Sequence, residues 1–378
     1  MRNIVMIAQP IQHIPPKKGA AVEWWMWQVC RQLAASGQYM PHIICTGEND
    51  SAPEHEIRDG VHFYRITLSP VYKRIFQKWT RLDPCGYAVR AARYCRRIGA
   101  HIVHTHNSPK LHSELARHLP GFTLLLHMHN EMETAPDLRA CCLVTVSQYL
   151  AGWYRQKLPE MPIRVLTNGI DRQAFLTKQP QPEWRTQLPA NSRILLFAGR
   201  ISPEKGLLLL AQAFTLLSAT LPELHLVIIG ERVTGNNTRA QYAHRVSELL
   251  APLANRVHWI GVVQPEDMSH HYPAADLLVV PSEFEEPFGM VCLEGMAAGV
   301  PVLAARKGGL PEFVRHGETG FLMEEPRSPA ILAAQIRELL SAPDELACVA
   351  NQAADYARNH HDWPLVAQHL AHIYESCN

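Results

Sequence analysis

The sequence predicts an α/β protein made of two doubly wound parallel sheets. Three observations carry this. The chain has 378 residues, too many for one ordinary core and enough for two. Short apolar runs alternate with longer amphipathic stretches almost from end to end, the pattern of stacked βαβ units. The alternation restarts after a polar stretch at 178–190 that carries Pro180, Pro182 and Pro189 and reads as a linker.

The elements follow in order. Residues 4–8 (IVMIA) read as the first strand, and a Pro/Lys/Gly loop at 10–19 follows it. A helix is expected over 20–36, stopped by Gly37. Further strands are expected at 42–45, 62–66, 102–106, 123–127, 143–146 and 164–167. Beyond the linker come 193–198 (RILLFA), 224–229, 257–260, 276–280 and 301–304. There is no short repeat of the solenoid kind. The expected domains are 1–175 and 176–355, with 356–378 as a closing helix. Ligands of doubly wound sheets bind outside the carboxyl ends of the strands. Two such domains facing one another would enclose a cleft, with the reactive residues just after strands.

Apolar types make up 47% of the chain and charged types 19%, a globular balance. A net charge of +1, from 36 Lys+Arg and 35 Asp+Glu, excludes a generally basic nucleic-acid wrapper and leaves local patches open. No apolar run approaches the ~20 residues of a membrane-spanning helix. The N-terminal run lacks the length and cleavage site of a signal peptide, so a cytoplasmic protein is expected. Nine cysteines are scattered with neither C-x-x-C nor zinc spacing, and they read as reduced, mostly buried thiols.

The strongest chemical pattern is EPFGMVCLE, Glu286 to Glu294. It reads as the opening of a helix, with Pro287 in the first turn. The amides of Gly289, Met290 and Val291 would then form an anion site. Glu294, two turns on, can accept both hydroxyls of a ribose, and Glu286 can hold sugar hydroxyls. A plain acidic turn suited to the helix dipole is the alternative. Directly after RILLFA comes GRISPEKG, in which Arg200 and Lys205 offer the guanidinium fork and mobile ammonium that a diphosphate needs, or form a solvated basic turn, the ordinary reading of this stretch taken alone. The loop PPKKGAAVE places Gly19 before a helix, where small residues allow close contact with a phosphate, or simply join a strand to a helix. The spacing is not a dinucleotide fingerprint.

HMHN ends the strand at 123–127, with His127 and His129 on one side. No third ligand has convincing spacing and no D-x-D is present, so no metal is expected. His129 is the one expected to face a ligand. Residues 71–97 interleave Lys73, Arg74, Lys78, Arg81 and four further arginines with aromatics that include Trp79. A solvated helical face is the ordinary reading, and a surface for anionic membrane lipid or a phosphorylated glycolipid acceptor the functional one. Single-stranded nucleic acid uses the same residue types, but neutral overall charge argues against it. The NGID turn, 168–171, reads as a hinge with a left-handed glycine.

Taken together, GRISPEKG, EPFGMVCLEGMAAGVPV, KGGLPEFV and NGID resemble the retaining nucleotide-sugar glycosyltransferases of family 4, which have the two-domain GT-B fold. The resemblance covers nearly the whole chain. More narrowly, PPKKGAAVEWW, VYKRIFQKWTRLDP, HMHN and AGRISPEKGLLLLAQAF are similar to the lipopolysaccharide-core N-acetylglucosaminyltransferases. The resemblance implies that Arg200 and Lys205 neutralise the donor diphosphate and Glu294 holds the ribose. Glu286, with backbone from Phe288 to Val291, would hold the transferred sugar and pyrophosphate. His129 would sit by the sugar, Gly19 would close over the phosphates, and the uracil would rest near Gly261, Val262 and Val263. The family often has Gly-Gly where this chain has Lys18-Gly19. It also implies a closing helix, begun near Asp362-Trp363-Pro364, that crosses back to the first domain.

The resulting expectation is a transferase carrying N-acetylglucosamine from UDP-GlcNAc to a sugar of the lipopolysaccharide core. It would retain configuration, use no metal or other cofactor, and sit on the cytoplasmic face of the inner membrane. Three alternatives stay open: the same chemistry with UDP-glucose or another hexose, or with a capsular acceptor; a UDP-sugar epimerase; and a non-catalytic glycan- or membrane-binding protein.

Overall fold

The computed structural model describes residues 1–10, 13–16, 20–46, 53–67, 86–134, 138–177, 180–233, 235, 237–323 and 328–377. The chain divides into two compact units. One comprises Met1–Gly169 with Trp363–Asn378, the other Ile170–Asp362.

The first unit carries an eight-stranded sheet. Its strands are β1 (Arg2–Ile7), β2 (Tyr39–Thr46), β3 (His55–Arg58), β4 (Val61–Ile66), β5 (Ile102–His106), β6 (Thr123–Met128), β7 (Cys142–Thr145) and β8 (Ile163–Val165). Their spatial order is β3-β4-β2-β1-β5-β6-β7-β8. All pairings are parallel except the β3–β4 hairpin. Both faces of β1 are buried. Ile4 and Met6 join the core formed with Trp25 and Tyr374, while Val5 and Ile7 join the core under the helix Tyr87–Ile98. Burial on both faces is why this strand reads as an unbroken apolar run. The helix Ala21–Ala35 ends at Ser36, and Gly37 follows at φ 68°. The last helix, Trp363–Ser376, packs on it.

The second unit has a six-stranded, all-parallel sheet. Its strands are β9 (Arg193–Ala198), β10 (Leu224–Ile229), β11 (Val257–Gly261), β12 (Leu277–Val280), β13 (Val302–Ala305) and β14 (Phe321–Met323), in the order β11-β10-β9-β12-β13-β14. The order reverses between β9 and β12, and the loops leaving the carboxyl ends of these neighbours meet there.

Four local expectations are corrected. The edge strands β3 and β14 are additional: β3 is short and mostly exposed, and β14 has three residues, too few to show a period. The proline-rich stretch is no free linker, since Glu183–Thr186 is helical and its buried Trp184 donates Nε1–H to His271 Nδ1 at 2.9 Å. Gly169 is not left-handed. It is needed because a Cβ there would lie 2.5 Å from the Trp363 ring. Pro287 lies outside the helix it was expected to open, which starts at Met290.

Candidate functional site: the loops after β9, β12 and β13

β9 delivers Gly199, Arg200 and the turn Pro203–Lys205. Gly206 then sits at φ 71°, and a Cβ on it would lie 1.8 Å from the Pro281 carbonyl oxygen. Only glycine lets this loop press against the end of β12. The contact carries Lys205 to Glu286, with Nζ 2.6 Å from Oε1. The Ser282 hydroxyl donates to the same oxygen at 2.7 Å. The ammonium also stands over the Phe284 ring, 4.8 Å from its centroid. A second glycine locks the partner from the other side. A Cβ on Gly308, after β13, would lie 2.1 Å from the Glu286 carbonyl oxygen, which accepts a hydrogen bond from Gly309 N–H at 2.7 Å. Arg200 is largely exposed, and its guanidinium lies 3.7 Å from Glu204.

The helix Met290–Ala297 opens on Gly289 at φ 100°, where a Cβ would strike Leu310 at 2.3 Å. Glu286 therefore lies in the loop and not on a helix shared with Glu294. The first-turn amides of Met290 and Val291 have no intrahelical acceptors, and the positive end of the dipole points out of this turn. The Phe288 side chain is buried and stacks on Phe313, so only its backbone is free to meet a ligand. Glu294 accepts a hydrogen bond from the Tyr272 hydroxyl at 2.6 Å. Burial pushes its carboxyl up to about 7, opposed in part by that donated bond. Gly261 ends β11 at φ 83°, and the Val262 that follows is half exposed. These loops of the second unit hold two cations, a helix N-terminus and two carboxylates at the carboxyl ends of neighbouring strands. They can bind a diphosphate and the hydroxyls beside it.

In the first unit, β6 stops at Met128, and His129 is the first residue beyond it. Its backbone N–H donates to Asn107 Oδ1 at 3.2 Å, and Asn107 itself stands at φ 47° after β5. The ring stacks on His127 with centroids 4.2 Å apart and meets His106, Nδ1 to Nε2, at 3.3 Å. His104 and His106 alternate on β5, and His106 lies opposite His127 in the β5–β6 register. All three are fully buried beside Trp25. Gly19, Lys73, Arg74, Lys78, Trp79 and Arg81 lie outside the described residues.

Residues 22–174 match the family described as Glycosyltransferase Family 4, and residues 179–360 match Glycosyl transferases group 1. Over 375 residues the chain is 35% identical to the lipopolysaccharide 1,2-N-acetylglucosaminetransferase of Salmonella typhimurium, with 97% of each protein covered. The chain belongs to the family 4 glycosyltransferases. The transferase is also 36% identical to the D-inositol 3-phosphate glycosyltransferase of Thermobispora bispora over 385 residues, 92% of this chain and 87% of that one. Its fold is GT-B, similar to that of Anabaena Alr3699/HepE, solved in complex with UDP and glucose, at a TM-score of 0.77, 21% identity and full coverage of both chains.

Several residues of this candidate site were not legible in the sequence. Tyr272 holds Glu294 but sits 22 positions before it, in a stretch with no motif. Ser282 and Gly308 reach Glu286 only through the fold, although the Gly pair after β13 is visible in KGGLPEFV. His104 and His106 carry a usable signal in the sequence, alternation on a strand.

Proposed function

We propose that this transferase moves N-acetylglucosamine from UDP-GlcNAc to a sugar of a lipopolysaccharide core, with retention of configuration. The observation that carries the donor and acceptor is the 35% identity along 97% of both chains to the Salmonella enzyme of that name. The observation that carries the chemistry is the pairing of Lys205 with Glu286 just before the Met290–Ala297 N-terminus, with Arg200 largely exposed on the loop that carries Lys205. As the bond from the sugar C1 to the diphosphate oxygen breaks, negative charge grows on the leaving UDP. Arg200, Lys205 and the first-turn amides oppose that charge without a metal. The acceptor hydroxyl attacks C1 on the face the diphosphate leaves, and its proton passes to a β-phosphate oxygen. Glu286 holds sugar hydroxyls, Glu294 the ribose, and His129 donates a hydrogen bond to the sugar.

No helix among the described residues is long and apolar enough to cross a membrane. We place the enzyme peripherally, on the inner face of the inner membrane, through the basic segment 71–97. The helix Tyr87–Ile98 buries Tyr87, Ala88, Ala91, Ala92 and Cys95 and exposes Arg93, Arg96 and Arg97. Such a face suits anionic headgroups.

The test is UDP release in EDTA, with UDP-GlcNAc or UDP-glucose, each with and without truncated core lipopolysaccharide. Acceptor-dependent release from UDP-GlcNAc is expected. Preference for UDP-glucose, the sugar class seen with Anabaena Alr3699/HepE, would overturn the donor and keep the transfer. Consumption of UDP-sugar without acceptor would favour an epimerase. Transfer to an inositol phosphate would move the acceptor toward that of the Thermobispora relative.

A further inference from the structure

We propose that His104, His106 and His127 form a structural binding site for a first-row transition-metal ion of the zinc or copper class. The Nε2 atoms of all three rings are buried and have no hydrogen-bond partner among the described residues, and neither has Nδ1 of His127. Buried polar atoms left unpaired are costly, and a core rarely keeps four in one place without something that binds them. Each residue offers one ring nitrogen, and these three lie within 4.8 Å of one another. Around an ion with bonds of about 2.0–2.1 Å, tetrahedral ligands stand about 3.4 Å apart. Binding would draw the three nitrogens together by ring rotation.

The surroundings have the form of an outer ligand shell. The second nitrogen of His104, Nδ1, is engaged by the Tyr374 hydroxyl at 2.8 Å. The second nitrogen of His106 is engaged by His129 at 3.3 Å. A partner on one ring nitrogen fixes the tautomer and leaves the other free for a metal. The donors are all imidazoles, which suit zinc, copper and nickel and disfavour magnesium or calcium. The ion would tie β5 to β6 under the helix Ala21–Ala35. With Nε2 of His106 on the metal, its Nδ1–H donates to His129 Nε2. The second nitrogen of His129, Nδ1, then carries the proton, making that ring a hydrogen-bond donor. The site belongs to the first unit and uses none of the residues assigned to the diphosphate. Its presence does not depend on which sugar is transferred.

The experiment is elemental analysis of untagged protein, followed by chelator stripping and titration with Zn2+, Co2+ or Cu+. Expected are about one bound ion per chain and a rise in Tm of about 5 °C or more on reloading. Cobalt should give a visible ligand-field absorption that saturates at one ion per chain. His104→Gln and His127→Gln should each abolish the stoichiometric ion and the Tm response. Wild-type protein that holds no metal and shows no Tm response to any of the three ions overturns the proposal, whether or not the variants fold. So does a stoichiometric ion that survives both substitutions.

Discussion

A Lys205→Ala variant strips the Glu286 carboxylate of its ion-pair partner inside the second unit. The pair is short, at 2.6 Å, and its side chains are only 21% and 7% exposed. Breaking a buried pair on one side costs about 3–5 kcal/mol. Here the Ser282 hydroxyl still donates to the same oxygen and the lysine is partly exposed, so about 2–3 kcal/mol is expected. For a unit of this size that lowers Tm by about 5–10 °C. Adding Glu286→Gln removes the stranded charge and leaves an amide that Ser282 can still meet, so the double variant should regain much of the loss. Glu286→Gln alone leaves a lysine that can reach water and should cost about 1 kcal/mol. Thermal unfolding should therefore rank wild type above Glu286→Gln, then the double variant, then Lys205→Ala. Turnover behaves differently. Both variants without Lys205 should lose about 100-fold or more, because the leaving diphosphate loses its cation. A double variant no more stable than Lys205→Ala would refute the stranded-charge argument. Near-wild-type turnover in either would refute the diphosphate role.

Glu294 gives a pH prediction. Its folded carboxyl titrates at about 7 against an ordinary 4.5, so its contribution to stability is complete below about 4.5 and is lost as pH rises through about 7. Ribose hydroxyls need the ionised carboxylate, so UDP affinity should rise over the same window, and binding at neutral pH should release protons. Calorimetry in two buffers of different ionisation enthalpy reads this, and identical heats would count against it. Tyr272→Phe removes the bond that holds the carboxyl down and should move the affinity rise to higher pH, as seen in a pH series of UDP binding. Gly206→Ala forces a Cβ against the Pro281 carbonyl at φ 71° and should destabilise by at least about 2 kcal/mol, read by denaturant unfolding. Replacing Lys73, Arg74, Lys78 and Arg81 together by alanine should weaken sedimentation with anionic vesicles by about 1 kcal/mol per charge at low salt. Turnover on a soluble acceptor should be unaffected.

Much of this protein was legible in one dimension. Parallel strands buried on both faces read as unbroken apolar runs, so the order of β1, β5, β9 and β12 and the restart between the sheets could be followed directly. Residues that follow such strands lie at the ligand end by topology, which is why Arg200, Lys205, Glu286 and His129 could be named. Short elements without a period, β3 and β14, were not legible, and neither was the packing of Trp184. The sequence also showed glycines without their reasons. Gly169 answers to a tryptophan almost two hundred positions away, and Gly206 and Gly308 to backbone carbonyls on other loops. Only the tertiary structure decided which carboxylate pairs with Lys205 and which hydroxyl tunes Glu294. It alone brought His104, His106 and His127 together. Strand and helix periods are properties of neighbouring residues, whereas ion pairs, close backbone contacts and ligand sets depend on which loops the sheet order sets side by side.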